Sequence, residues 1–286
     1  MSTLIDGLSL GAIYALIALG YTMVYGIAKM LNFAHGDIIM VGAYSVFTAL
    51  MLGGGVASKI IAIVISVSVC TALGVLVEKC AYRPLRGASP LAVLITAIGV
   101  SYLLQGMAQL IFGAKSHPVN FTIHGSVIGI NYSTLITLVV ATVIMVGLTL
   151  FVNLTKTGRA MVAVSEDKAA AQLMGVNVNF IIMLTFAIGS ALAACASMFY
   201  LMQIPTVSPT LGSMPGIKAF TAAVIGGIGS IPGAMIGGVL LGVIEKFALS
   251  VPAISPYTTA IEFSLLIIIL LVKPTGLLGK KRREKV

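Results

Sequence analysis

Three polar stretches interrupt this apolar chain, and their residues are the ones whose types could do chemistry. Asn32-Phe33-Ala34-His35-Gly36-Asp37 sets an amide, an imidazole and a carboxylate within six residues. Non-helical backbone at membrane depth survives only against protein or a water-filled cavity. Asn32, His35 and Asp37 could therefore line a polar pathway or its cytoplasmic gate. The plainer and favoured reading is capping, with Asp37 accepting from free N–H groups of a helix at 38 and Asn32 ending the helix before. One His and one Asp are too few ligands for a metal.

The second stretch is the 155–177 insert, TKTGRAMVAVSEDKAAAQLMGVN, flush at both ends with apolar runs. Thr157-Gly158 reads as a turn and Arg159–Met174 as one helix of about four turns. Met161, Val164, Leu173 and Met174 give that helix an apolar side, and Glu166, Asp167 and Lys168 a polar one. Gly175 is its expected stop, since Gly accepts the left-handed conformation beyond a helix end. A single amphipathic insert of this kind reads as a docking site for another protein. The alternative is a helix lying on anionic lipid.

The third stretch is Gly226-Gly227-Ile228-Gly229-Ser230-Ile231-Pro232-Gly233. Gly229, Gly233 and Gly237 recur every four residues, predicting a flat stripe for close helix packing or for sliding between states. Phosphate cradling finds no support around it. No Gly-x-x-x-x-Gly-Lys-Ser/Thr loop occurs, and neither His-Glu-x-x-His nor a nucleophile elbow suggests an enzyme.

These segments must be held by membrane helices. The 286 residues are 59% hydrophobic and only 9% charged, too little charge for a water-soluble surface. The net charge of +9 lies in short loops and in the KKRREK tail, without aromatic stacking platforms, so nucleic acid is not an expected partner. Cys70, Cys80 and Cys195 have no metal-ligand spacing and read as packing residues. The N-terminus lacks a basic region before its apolar stretch and reads as a retained first span.

About 20 apolar residues are needed per crossing. Such runs lie at 7–28, 38–56, 59–79, 91–112, 134–153 and 179–202, and a last one at 257–273. Between them 216–250 is too long for one span, and Pro232 predicts a split into 216–229 and 232–250. The fold class is thus an all-α polytopic bundle of about 8–9 spans with broken or short helices. It forms a single transmembrane domain over 1–286, with a basic tail at 274–286.

Lys79, Arg83 and Arg86, then Lys156, Arg159 and Lys168, then the tail define the cytoplasmic side of nine spans, with the N-terminus outside. Lys59, Lys115, Lys218 and Lys246 fall on the opposite side. Segments 30–46 and 227–243 are similar joint-plus-helix units, both joints on the cytoplasmic side. Glu78, Glu245 and Glu262 could pair with Lys79, Lys246 or a partner chain.

Ala169-Ala170-Ala171 with Gly175 four residues on resembles the coupling motif of ATP-binding-cassette importer permeases, although Ala169 stands where that motif has an acid. GLSLGAIYALIALGYTMVYGIAKMLNFAHGDIIMVGAY, TGRAMVAVSEDKAAAQLMGVNV and AFTAAVIGGIGSIPGAMIGG are similar to segments of branched-chain amino acid permeases, and the likeness runs from about Gly7 to Gly276. The resemblance implies half a translocation pathway for leucine, isoleucine and valine in a bacterial cytoplasmic membrane. It also implies a second homologous permease, two cytosolic ATPases holding ATP and Mg, an extracytoplasmic binding protein and no cofactor on this chain. Gly158, Arg159, Glu166, Asp167, Ala169, Ala170 and Gly175 would then form the ATPase-coupling segment. Relatives for urea or short amides remain an alternative. A self-sufficient secondary carrier or channel is the rival class, and it should show acids buried mid-span.

Overall fold

A computed structural model describes residues 2–53, 55–123, 125–127 and 129–279; of the basic tail, 280–286 lie outside the described residues. Each apolar run becomes one helix: α1 (Ser2–Ala28), α2 (His35–Met51), α3 (Val56–Val77), α4 (Pro90–Phe112) and α5 (Tyr132–Leu154). The 155–177 insert holds α6 (Lys156–Glu166) and α7 (Lys168–Leu173). Then follow α8 (Val178–Gln203), α9 (Ser213–Gly226), α10 (Ile231–Ser250) and α11 (Thr258–Val272).

Among the described residues seven helical segments are long and apolar enough to cross a membrane: α1, α3, α4, α5, α8, α10, and α11 together with the helical turn Ser255–Tyr257 that leads into it. The other two inter-loop helices are short, α2 with 17 residues and α9 with 14. At 1.5 Å rise per residue α9 reaches only about 21 Å, less than the hydrocarbon core of about 30 Å. The split foreseen at Pro232 is present. Ser230 caps α10, its hydroxyl accepting from Gly233 N at 3.2 Å, with Pro232 in the first turn, where a missing N–H costs nothing.

The centre of the bundle is α1. It is apolar all round and almost entirely buried, the mark of a helix enclosed by protein. Around it stand α8, α9, α10 and α5. Gly238 and Gly242 bring α10 against it so closely that a Cβ there would lie 2.4 Å from Ala15 Cα and 2.2 Å from Gly11 N. Outer helices turn large apolar side chains outward, such as Leu110 on α4 and Leu271 on α11, as a lipid-facing surface requires.

The connections gather at two ends. At one, Gly26 lies beside Gly229, Tyr82 Oη donates to Asn32 Oδ1 at 2.8 Å, Lys168 Nζ donates to Ala28 O at 2.9 Å, and Leu277 N donates to Ile225 O at 2.8 Å. The two joints of the internal likeness, the basic connections at 78–86 and 155–177 and the segment at 273–279 therefore share an end. At the other, β1 (His117–Pro118) pairs antiparallel with β4 (Thr206–Val207), beside the small hairpin of β2 (Ser126–Val127) and β3 (Ile130–Asn131). Lys59 Nζ closes on Thr122 O there at 3.0 Å.

Candidate functional site

The 155–177 insert is not one helix. Thr155 caps α6 with its hydroxyl, which accepts from Gly158 N at 2.9 Å. Gly158 is buried against the end of α5, where a Cβ would come 2.3 Å from Val152 O and 2.4 Å from Phe151 O. It therefore sits inside the first turn of α6, not in a turn before it. Asp167 breaks the helix with extended backbone and restarts it: its Oδ1 accepts from Ala169 N at 2.9 Å and Ala170 N at 3.0 Å. An acid with a turn preference competes with helix interior and favours a cap. Gly175 has φ +83° and closes α7, with Val176 N donating to Ala171 O and Gly175 N to Gln172 O, both at 3.0 Å; this is the left-handed stop expected of Gly.

The inward side consists of Met161, Val164 and Ala171, all buried. Leu173 and Met174, expected on that side, are instead 88% and 85% exposed: in α7 it is Ala171 that continues the buried face of Met161 and Val164. The outer surface therefore carries Arg159, Glu166, Asp167, Ala169, Ala170, Leu173, Met174 and Gly175. Behind it, Lys168 donates to the free carbonyl of Ala28 at the end of α1, tying the insert to the central helix. Burial, then the neighbouring Arg86 charge, pushes the Lys168 ammonium below the usual lysine range. Lys168, Arg86, Gln172, Asn177 and Asn179 line a groove of about 560 Å³ between α7 and the start of α8.

The 32–37 stretch does not cap as expected. The helix begins at His35 after Ala34, without a side-chain cap, and Asn32 accepts from Tyr82 instead of closing α1. Asp37 is buried, and its Oδ1 accepts from Gln105 Nε2 of α4 at 2.8 Å. Gln105 is also 3.3 Å from Ser101 Oγ and 3.4 Å from Ser213 Oγ, the first residue of α9. His35 faces the other way. Its ring stands edge-on to Tyr21 at 4.7 Å, against Gly20, and Nε2 is buried without a hydrogen-bond partner among the described residues. Where Gly36 meets Gly212 and Gly216, the first turns of α2 and α9 touch; a Cβ on Gly212 would fall 1.9 Å from Gly36 O.

The expected glycine stripe divides. Gly229 lies outside α10, in the joint, with φ +95°. Gly233 and Gly237 face α9, where added Cβ atoms would lie 2.4 Å from Gly226 O and 2.1 Å from Ala222 O.

One cluster was not foreseen. Lys218, placed by the charge count at an exposed end, is buried in α9, with its Nζ 2.7 Å from Glu245 Oε1 and 3.2 Å from Glu262 Oε1. Tyr14 Oη donates to Glu245 Oε2 at 2.7 Å. Glu245 therefore pairs with Lys218 and not Lys246, and Glu78 pairs with Arg86 and not Lys79. The signal was available: a lysine inside a span needs an acid within another one.

The chain matches the family described as branched-chain amino acid transport system / permease component over residues 3–271. It is 46% identical, over a 301-residue alignment, to the high-affinity branched-chain amino acid transport system permease protein BraD of Pseudomonas aeruginosa, covering 100% of this chain and 98% of that one. The corresponding protein LivH of Escherichia coli K12 is 43% identical over 301 residues, covering 100% and 97%. Among solved structures, a chain described as PsaBC from Streptococcus pneumoniae in complex with Fab shares the fold. Its TM-score is 0.51 at 18% identity, over 96% of this chain and 93% of that one. A full-length match to that family, on a bundle of membrane-length helices with one exposed helical insert, places this chain in the branched-chain amino acid transport system permease family: it is a multi-pass transport permease.

Proposed function

We propose that the chain is the permease subunit of an ATP-driven, binding-protein-dependent importer for leucine, isoleucine and valine in a bacterial cytoplasmic membrane. The observation that carries this reading is the α6–α7 unit. It is anchored inward by Met161, Val164 and Ala171, tied to α1 through Lys168 and exposed along Arg159–Gly175. Such a rigid, protruding pair of short helices can pass a partner's rigid-body motion into the spans. Two cytosolic ATPases supply ATP, Mg and hydrolysis, a second homologous permease completes the pathway, and an extracytoplasmic protein delivers substrate. The names of the relatives favour branched-chain amino acids over urea or a short amide.

The polar set Asp37, Gln105, Ser101 and Ser213, with His35 and Asn32 beside it, is the part of this chain suited to the pathway. Its position at the meeting of two short helices leaves polar groups at membrane depth.

The rival class of a secondary carrier draws on the buried Lys218–Glu245–Glu262 cluster. That cluster is closed by its own ion pairs and is at most 8% exposed, so it offers substrate no open surface. The test is mass spectrometry of what co-purifies with the chain in mild detergent. The expected result is a cytosolic ATPase, lost when Arg159–Gly175 is altered. A homo-oligomer without ATPase would point to the carrier.

A further inference from the structure

Three charged side chains from three helices meet inside the bundle, one positive and two negative. Lys218 Nζ serves both Glu245 Oε1 and Glu262 Oε1, at 2.7 and 3.2 Å, while Tyr14 Oη of α1 serves Glu245 Oε2 at 2.7 Å. Both oxygens of Glu245 therefore have donors. Glu262 is fully buried, has only the longer contact to Lys218, and its Oε2 has no hydrogen-bond partner among the described residues. Both acids converge on the one Lys218 Nζ, which brings their Oε1 atoms close to each other. Among the described residues Tyr200 of α8 is a further titratable group near the cluster.

With both acids ionised the cluster would carry one uncompensated negative charge in a low-dielectric interior. A buried charge without a partner neutralises itself, because its desolvation is not offset. We propose that the cluster is a proton-binding site: Glu262 holds one proton drawn from the aqueous phase and hydrogen-bonds to ionised Glu245, leaving the cluster neutral. The consequence falls on α11. Among the residues of that helix only Thr258 and Glu262 are buried, so the protonated Glu262 is the polar tie that fastens the last helix to α9 and α10.

Infrared spectroscopy of the purified full chain in detergent at neutral pH tests this. The wild type is expected to show the carbonyl stretch of an un-ionised carboxyl that disappears in E262Q and persists in E78Q. In E245Q it should also disappear, because Lys218 then has only Glu262 to pair with and ionises it. Gln is isosteric with a protonated Glu, so E262Q should purify and pack as the wild type does. A wild type without that band, or a band unchanged in E262Q, overturns the proposal. So does an E262Q chain that cannot fold, since it would show that the negative charge is required.

Discussion

Lys218 sets the sharpest expectation at the scale of single residues. Replacing it with Met strands Glu245 in the interior, and removing one partner of a buried pair costs about 3–5 kcal/mol. K218M should melt well below the wild type in detergent, and K218M/E245Q should recover much of the loss, because then no ionised acid is left without a partner. Equal melting of the two variants would mean that Glu245 was never the problem. Glycines with no room for a Cβ follow a different logic. Gly242 would place its Cβ 2.2 Å from Gly11 N, and overpacking of that kind costs about 1–3 kcal/mol or more. G242V should express poorly or run as aggregate on size-exclusion chromatography. Repetition of glycine was legible in the sequence; which neighbour each glycine admits was not. Gly233 and Gly237 turn to α9, Gly238 and Gly242 to α1, and Gly229 belongs to no helix.

The α6–α7 unit carries the predictions that belong to elements. Asp167 accepts two N–H groups of a six-residue helix, and losing such a cap costs about 1 kcal/mol. A helix that short has little else to hold it. D167A should therefore lower transport driven by ATP more than it lowers the melting temperature of the bundle. Gly175 stands in open space with φ +83°, so a bulky residue there meets no neighbour in this chain but strains the turn by about 1–2 kcal/mol. G175L should insert normally while transport separates from ATP hydrolysis in the reconstituted complex; normal coupling at normal expression would remove the assignment. The insert, its stop at Gly175 and its buried Met161 and Val164 were readable from spacing. The break at Asp167 was not, because the apolar spacing runs through it to Ala171 while the backbone turns extended at Asp167 itself.

At the scale of the molecule, the basic connections at 78–86 and 155–177 and the segment at 273–279 collect at one end of the bundle, linked through Tyr82–Asn32, Lys168–Ala28 and Leu277–Ile225. A motion imposed on the insert thus reaches α1, the most fully buried of the membrane-length helices among the described residues, and the joint leading to Asp37. Cutting one link tests this path. K168M leaves the exposed face of the insert unchanged but removes its tie to Ala28. It should keep ATPase binding in co-purification while transport falls several-fold. Loss of binding instead would place Lys168 in the docking surface.

By itself the sequence determined the helical class, the approximate limits of every span and the placing of one polar insert. The reason is that a bilayer leaves the backbone no partner but itself, so a long apolar run has to be a helix. Tertiary structure alone decided which helices are core. α1 and α11 are of similar hydropathy, yet the first is almost wholly enclosed and the second buries two residues. Lipid and protein interior are equally apolar solvents for a leucine, and hydropathy cannot tell them apart. The same holds for the buried charges. Lys218, Glu245 and Glu262 are far apart in sequence, and only the packing of α9, α10 and α11 brings both acids within a hydrogen bond of Lys218.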